Sequence, residues 1–576
     1  MYVPVIPPPG VVRPTSPEEA VGRFWDANLV RWRAGKLLPV GGWQRISETA
    51  LQSQARAIVP WTTNAGQAVV AFGCDEHLIA LDGDVYDNIT PDGFTGAVTG
   101  DTGGYGAYYY GELLYGDDTD STYPRPPSQL SGPAFSWTID TWGGEILAVA
   151  SSDGRLLHWA VGDPEAHAVG YADITTVTRT SNTAVVVLAY SLFVVVGETV
   201  TIAGNPLAGV DGDRVVVSVI SPTSFTFSNS GTDGSGAGGS VSHGDAPVSN
   251  TGVIVTPERH AVLFGAGGVR RRVAWSGQED YGNWDYANTA SLAGFFDLET
   301  ESRIVMAAPV REGTLLWTEN EAWLMRYVGL PYVYGFERIG QGCGLIAPKS
   351  FAVTAGRCIW MGRESFWIYD GGNVQPLACD VASYVFDDID SSSGALYSHG
   401  SANSVFSEVW FWFPEPDSAV ANKYVAYNFA ENWWTIGYMD RTAAVGAGVF
   451  PNPIATSSAG AAYFQEDGWT DAGMPLVNTR FVETGALNMQ SGDRVSTISQ
   501  AQTSSGYGYG STSLSFVTSF TPDGPETSHG PFLSRADGYT DMRVTGRDIR
   551  VRVVSTQDAP WSMGGLRLQI TPGSGR

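Results

Sequence analysis

Trp317 is followed six residues later by Trp323, across the polar residues 318–321. Trp360 is followed six residues later by Phe366, across a turn at 362–364. The two leading tryptophans lie 43 residues apart. Short strands repeating at that interval match the period of a four-stranded propeller blade. The constraint is strong because one such sheet cannot bury both of its apolar faces alone; it needs copies of itself on either side.

Other stretches carry the same hairpin character. Ala80 and Tyr86 share the six-residue spacing, with Asp82-Gly83 as a hairpin signal. Residues 141–162 form a further unit around Asp153-Gly154, and more units run from 254 to 473. Together they predict six or seven blades, with the first and last closing the ring together.

Composition agrees with an all-β chain. Charged residues are 16%, aromatics 12%, and glycine occurs 70 times in 576 residues. Tight turns and cross-strand aromatic pairs use that mixture; helices would need more Glu, Lys and Leu.

Five segments are expected. Residues 1–62 read as a Pro-rich extended arm and first strands, and 63–169 as the first part of the propeller. A Val- and Thr-rich segment almost free of Trp, 170–245, reads as an inserted small β domain. The propeller resumes over 246–476, and 477–576 read as a C-terminal β-sandwich-like domain. The Gly-, Tyr- and Asp-rich stretch 92–133 is placed at a subunit contact.

The net charge of −26 argues against recognition of nucleic acid by a broad basic surface, since phosphates would be repelled. Of 33 basic residues only Lys36, Lys349 and Lys423 are lysines. Trp25, Trp32 and Trp43 alternate with Arg31, Arg33 and Lys36, which reads as a core strand more readily than as a nucleic-acid surface. Arg543, Arg550 and Arg552 are expected on one strand face, paired with the acidic excess.

No constellation compels chemistry. Cys74, Cys343, Cys358 and Cys379 form no C-x-x-C pair, so buried or half-buried free thiols are expected in preference to zinc. His77, His158, His167, His243, His260, His399 and His529 are scattered and show no H-x-x-x-H spacing. Glycines at 231–240 and 264–269 open no helix after a strand, so they read as turn residues and not as a phosphate cradle. Asp387, Asp388 and Asp390 read as a solvated loop after a strand. Glu279, Asp280 and Asp285 would be the acids of a carbohydrate-active propeller. No catalytic, cofactor-binding or metal-binding residue is assigned, and no cofactor is expected. No signal peptide is visible at MYVPVIPPPG, and the longest apolar run, 184–196, is too short to span a bilayer.

SGQEDYGNW at 276–284, TENEAWLMRYVGLPYVYGFERIGQGCGLIAP at 318–348, and WMGRESFWIYDGG through YVFDDID at 360–390 resemble the tail nozzle and tail-hub proteins of short-tailed bacteriophages. These are described as tail tubular protein B-like or packaged-DNA stabilisation-like. The resemblance extends into NLVRWRAGKLLPVGGW and TGRDIRVRV but not into 170–243. It implies a non-enzymatic virion protein, assembled in the host cytoplasm as a hexameric ring. That ring would continue the portal and adaptor channel, retain packaged DNA and guide its ejection. Its implied partners are the head-to-tail adaptor, tail fibre or spike proteins, and DNA passing without specific binding. A carbohydrate-active or receptor-binding propeller, the latter using 170–243, is the alternative.

Overall fold

The computed structural model describes residues 2–573 apart from 6, 15, 98–134, 191, 193, 244–245, 288–290, 390–396, 417, 419, 488–494, 508–510, 522–523 and 536. The stretch expected at a subunit contact, 92–133, lies almost wholly outside the described residues.

Strands such as Glu408–Phe413 (EVWFWF) and Lys423–Asn428 (KYVAYN) are buried at every position. A strand apolar on both faces must be covered on both. The fold covers them by packing seven four-stranded antiparallel sheets face to face. In chain order the blades cover 55–88, 137–168, 252–297, 304–341, 351–377, 399–438 and 443–465. The first strand of a blade lies innermost. Ala55–Thr62 neighbours Trp137–Trp142, which neighbours Gly252–Val255 and then Ile304–Val310. Phe351–Thr354 neighbours His399–Asn403 and then Ala443–Val445, which returns to Ala55–Thr62. Over the described residues the chain is all-β, and its main body is a seven-bladed β-propeller.

The seventh blade supplies only three strands from its own stretch. The fourth is Trp43–Arg45, paired with Ala462–Gln465. Ring closure is therefore made by residues more than 400 positions apart. The first blade begins at Ala55, not after residue 62, because Ala55–Thr62 pairs along its length with Ala68–Cys74. The Ala80/Tyr86 spacing spans the third and fourth strands of that blade, whereas Trp317/Trp323 and Trp360/Phe366 span the second and third.

The 477–576 region is completed by the N-terminus. One sheet pairs Val30–Arg33, Lys36–Pro39, Ser562–Pro572, Ser496–Tyr507 and Tyr539–Gly546, with Tyr2–Val5 added against Ser562–Pro572. The other pairs Phe24–Asn28, Phe481–Thr484, Asp548–Ser555, Thr512–Ser519 and Thr527–Leu533. Ala34 and Gly35 join two of these strands with φ values of 50° and 73°, the left-handed pair that a two-residue hairpin needs. One apolar core unites this sandwich with blades five and six: Trp32, Val482 and Leu568 share it with Phe366, Phe411 and Trp434.

Tyr171–Ser242 leaves the propeller after the second blade. Tyr171–Thr180 pairs with Thr183–Leu188, then Ser224–Ser228, Gly212–Ser221, Thr199–Ala203 and Ser240–Ser242, which returns to Tyr171–Thr180. The cycle closes a small barrel, so these strands have no free edge. Alternation over 171–174 and in Thr199–Ala203 sends Ala172, Ile174, Val200 and Ile202 inward, onto Phe225 and Phe227. No helix among the described residues is long and apolar enough to cross a membrane.

Candidate functional site

The residues that the sequence singled out are dispersed, and most serve the fold. Asp280 Oδ1 accepts from the Gly282 amide (3.0 Å) and Asp285 Oδ1 from the Ala287 amide (3.0 Å). Burial raises the Asp280 carboxyl above its usual range, with Glu198 adding to the shift. Glu279 is exposed on a left-handed backbone, φ 55°.

Three expectations need correction. Asp387 and Asp388 follow the short helix Ala382–Phe386, not a strand, and Asp388 pairs with the buried ammonium of Lys423; Asp390 lies outside the described residues. Arg550 and Arg552 share a strand and both reach Glu483 (3.4 and 3.6 Å), but Arg543 lies on Tyr539–Gly546 in the other sheet. Arg543 stands seven residues before Arg550, an odd interval, and the chain turns at 546–548 between them. The glycines at 264–269 do follow a strand with a single 3-10 turn, Ala266–Gly268, whose Gly267 is left-handed. One such turn aligns too few amides to hold a phosphate.

Trp25, Trp32 and Trp43 are buried. Between them Arg31 is also fully buried. Its Nε lies 3.1 Å from Glu408, its Nη2 pairs with Glu466, and its guanidinium lies 3.7 Å from the Phe406 ring centroid. Sequence reading missed this cluster, since the partners come from 375 or more positions away. Cys74, Cys343 and Cys358 are buried and Cys379 half-buried, all as free thiols.

A cavity of about 550 Å³ lies against the innermost strands of blades one, five, six and seven. Its wall is mostly small: Ala352, Gly400, Ser401, Ala402, Ala443 and Ala444. Arg56, Lys349 and His399 add polarity. Arg56 is held by Asp75 through two contacts of 2.7 and 2.9 Å. Burial lowers Lys349 to about 8, against the pull of Asp140 from the second blade. His399 stacks on Trp412 (5.1 Å), and burial lowers its imidazole to about 4.

An apolar rim lies on the outer edges of blades three and four. Glu321–Gly329 and Val333–Gln341 are long strands for this fold, and their hairpin carries Tyr327, Val328, Leu330 and Tyr332 outward. Leu330 is 71% exposed and Tyr332 76%. Beside them, the outermost strand Gly294–Asp297 exposes Phe295 and Phe296. Phe296 stacks on Phe336 at 4.6 Å, joining the two blade edges, and Arg272 holds Phe295 from its other side at 4.4 Å. These are exposed apolar groups at the edges of blades three and four, and such groups mark interaction sites.

No protein-family model and no curated protein matches the chain. Solved structures do. BamB from Moraxella catarrhalis is similar over 76% of this chain and 93% of its own, at 7% identity and a TM-score of 0.32. The Neurospora crassa Pan2 WD40 domain is similar over 60% and 93%, at 7% identity and a TM-score of 0.29. The endosialidase of phage phi92 is similar over 65% and 64%, at 12% identity and a TM-score of 0.25. These likenesses concern the fold alone.

Proposed function

We propose that the chain is a structural, catalytically silent subunit of a phage tail, six copies of which form the nozzle or hub ring below the portal and adaptor. The observation that carries this reading is the apolar rim of Phe295, Phe296, Leu330 and Tyr332. Permanent subunit contacts are built from aromatic and aliphatic residues, with few lysines. The resemblance at 276–390 supports the same reading. The conduit would lie between the subunits of the ring. A net charge of −26 would let duplex slide past without phosphate contacts.

The test is electron microscopy and mass photometry of the purified full chain, alone and with the adaptor. A closed ring is expected, and Leu330→Asp with Tyr332→Asp should shift it to monomers of unchanged circular dichroism. A wild-type chain that stays monomeric and never joins an adaptor ring would remove the proposal. So would polysaccharide cleavage that Glu279→Gln abolishes.

A further inference from the structure

His158 lies on the third strand of the second blade, Leu157–Trp159, and His167 on the fourth, His167–Ala168; the ladder places them directly opposite each other. Asp163 sits in the turn between them. That turn is fixed by Trp159 Nε1, which donates to the Asp163 carbonyl at 3.0 Å, and by the Ala160 amide, which donates to Asp163 Oδ2 at 3.3 Å. One ligand atom from each of the three side chains falls within 4.8 Å of the others.

The geometry is specific in three respects. His158 Nδ1 and His167 Nε2 lie 3.4 Å apart. This is long for a hydrogen bond. It is the separation of two nitrogens held about 2.05 Å from one tetrahedral zinc. The other nitrogen of His158, Nε2, lies 2.8 Å from Glu145 Oε2. A carboxylate on the far side of the ring is the usual support of a metal-bound histidine; it fixes the tautomer that leaves Nδ1 with its lone pair. Both rings are clamped before any ion arrives, His158 against Tyr281 (5.2 Å, 17°) and His167 against Tyr190 (5.1 Å, 15°).

We propose that His158, His167 and Asp163 form a binding site for a divalent transition metal of the zinc type, with Glu145 as the positioning residue behind His158. Two imidazoles and one carboxylate suit zinc or a neighbouring first-row ion better than magnesium or calcium, which prefer all-oxygen sites. Three protein ligands leave a fourth position for water. The bound ion ties the last hairpin of the second blade where the chain departs into the barrel at Tyr171, so it would stiffen the base of that insert.

The test uses untagged full-length protein, stripped with a chelator and titrated with zinc chloride or cobalt chloride alone. One tight equivalent per chain is expected, with the visible absorption of tetrahedral cobalt. Glu145→Gln should weaken it about 10- to 100-fold. Asp163→Asn, in a half-buried turn that should still fold, should also weaken it and alter the cobalt spectrum. His158→Gln with His167→Gln should abolish it, while His243→Gln should not. Absence of a stoichiometric equivalent in the wild type overturns the proposal. So does an equivalent that survives in the double variant, or a cobalt spectrum unmoved by Asp163→Asn.

Discussion

The indoles of Trp317 and Trp360 meet edge to face with ring centroids 5.6 Å apart, and neither is exposed. They occupy equivalent positions on the second strands of blades four and five. The sequence repeat of 43 residues is therefore a physical contact: each blade's tryptophan is part of the next blade's floor. Phe351, 5.0 Å from Trp317, and the Trp360 Nε1 bond to the Cys343 carbonyl (2.8 Å) complete the joint.

Trp317→Ala or Trp360→Ala should each cost about 3–5 kcal/mol, as large-to-small changes at fully packed sites do. The pair should be non-additive by about 0.5–1.5 kcal/mol, the range of aromatic coupling. Chemical denaturation of both single variants and the double variant, followed by tryptophan fluorescence, measures this.

Arg31 joins the sandwich to blades six and seven through Glu408 and Glu466. Arg31→Met leaves the buried Glu408 carboxylate facing the half-buried Glu466 and should destabilise by about 3–5 kcal/mol. Adding Glu408→Leu should recover part of that loss, because an apolar replacement avoids the desolvation cost of the charge. Thermal unfolding of the three proteins gives the order wild type, double variant, Arg31→Met.

Two buried groups should pull stability in opposite directions with pH. His399, ordinarily near 6.5, is pushed down to about 4 by burial, helped by Arg56 and Arg441. The unfolded chain therefore takes up a proton first, and this group's contribution is lost as pH falls from 6.5 to 4. Glu408, ordinarily near 4.5, is pushed up to about 7 by burial and by Glu466, against the pull of Arg31. Here the folded chain holds the proton, so stability is lost as pH rises from 4.5 to 7. Each slope is at most about 1.4 kcal/mol per pH unit. Relative to wild type, His399→Gln should make stability fall more steeply as pH rises across their shared range, and Glu408→Gln should make it rise. Denaturant midpoints at half-unit pH steps report both slopes.

Gly42 precedes the closing strand Trp43–Arg45, and a Cβ there would overlap the backbone of Trp469 and Thr470. Gly42→Val should lift this strand from Ala462–Gln465 and open the ring, costing more than the roughly 1 kcal/mol of an average substitution. Hydrogen exchange should show lost protection at 462–465 before the rest of the propeller.

Repetition and alternation were legible in the chain itself. The 43-residue tryptophan interval announced stacked sheets, and the change to a Val- and Thr-rich, Trp-poor stretch over 170–245 announced an inserted small β domain. Arg31 was legible only as a basic residue between tryptophans. The carboxylates that neutralise it lie 377 and 435 positions further on, and no local spacing encodes them. The histidine pair was missed for a related reason. His158 and His167 are nine residues apart, a spacing that is meaningless on a helix and becomes a contact only when the hairpin register sets them opposite each other.

Local physics in the sequence determined that the chain makes short, aromatic, tightly turned strands, since side-chain shape, turn residues and hydrophobic period act within a few positions. Tertiary structure alone decided that there are seven blades, that Trp43–Arg45 closes the last, and that the first 39 residues complete a sandwich with the final hundred. Those outcomes depend on hydrogen bonds between edges more than 400 residues apart, and an unsatisfied strand edge accepts whichever partner the finished ring brings to it.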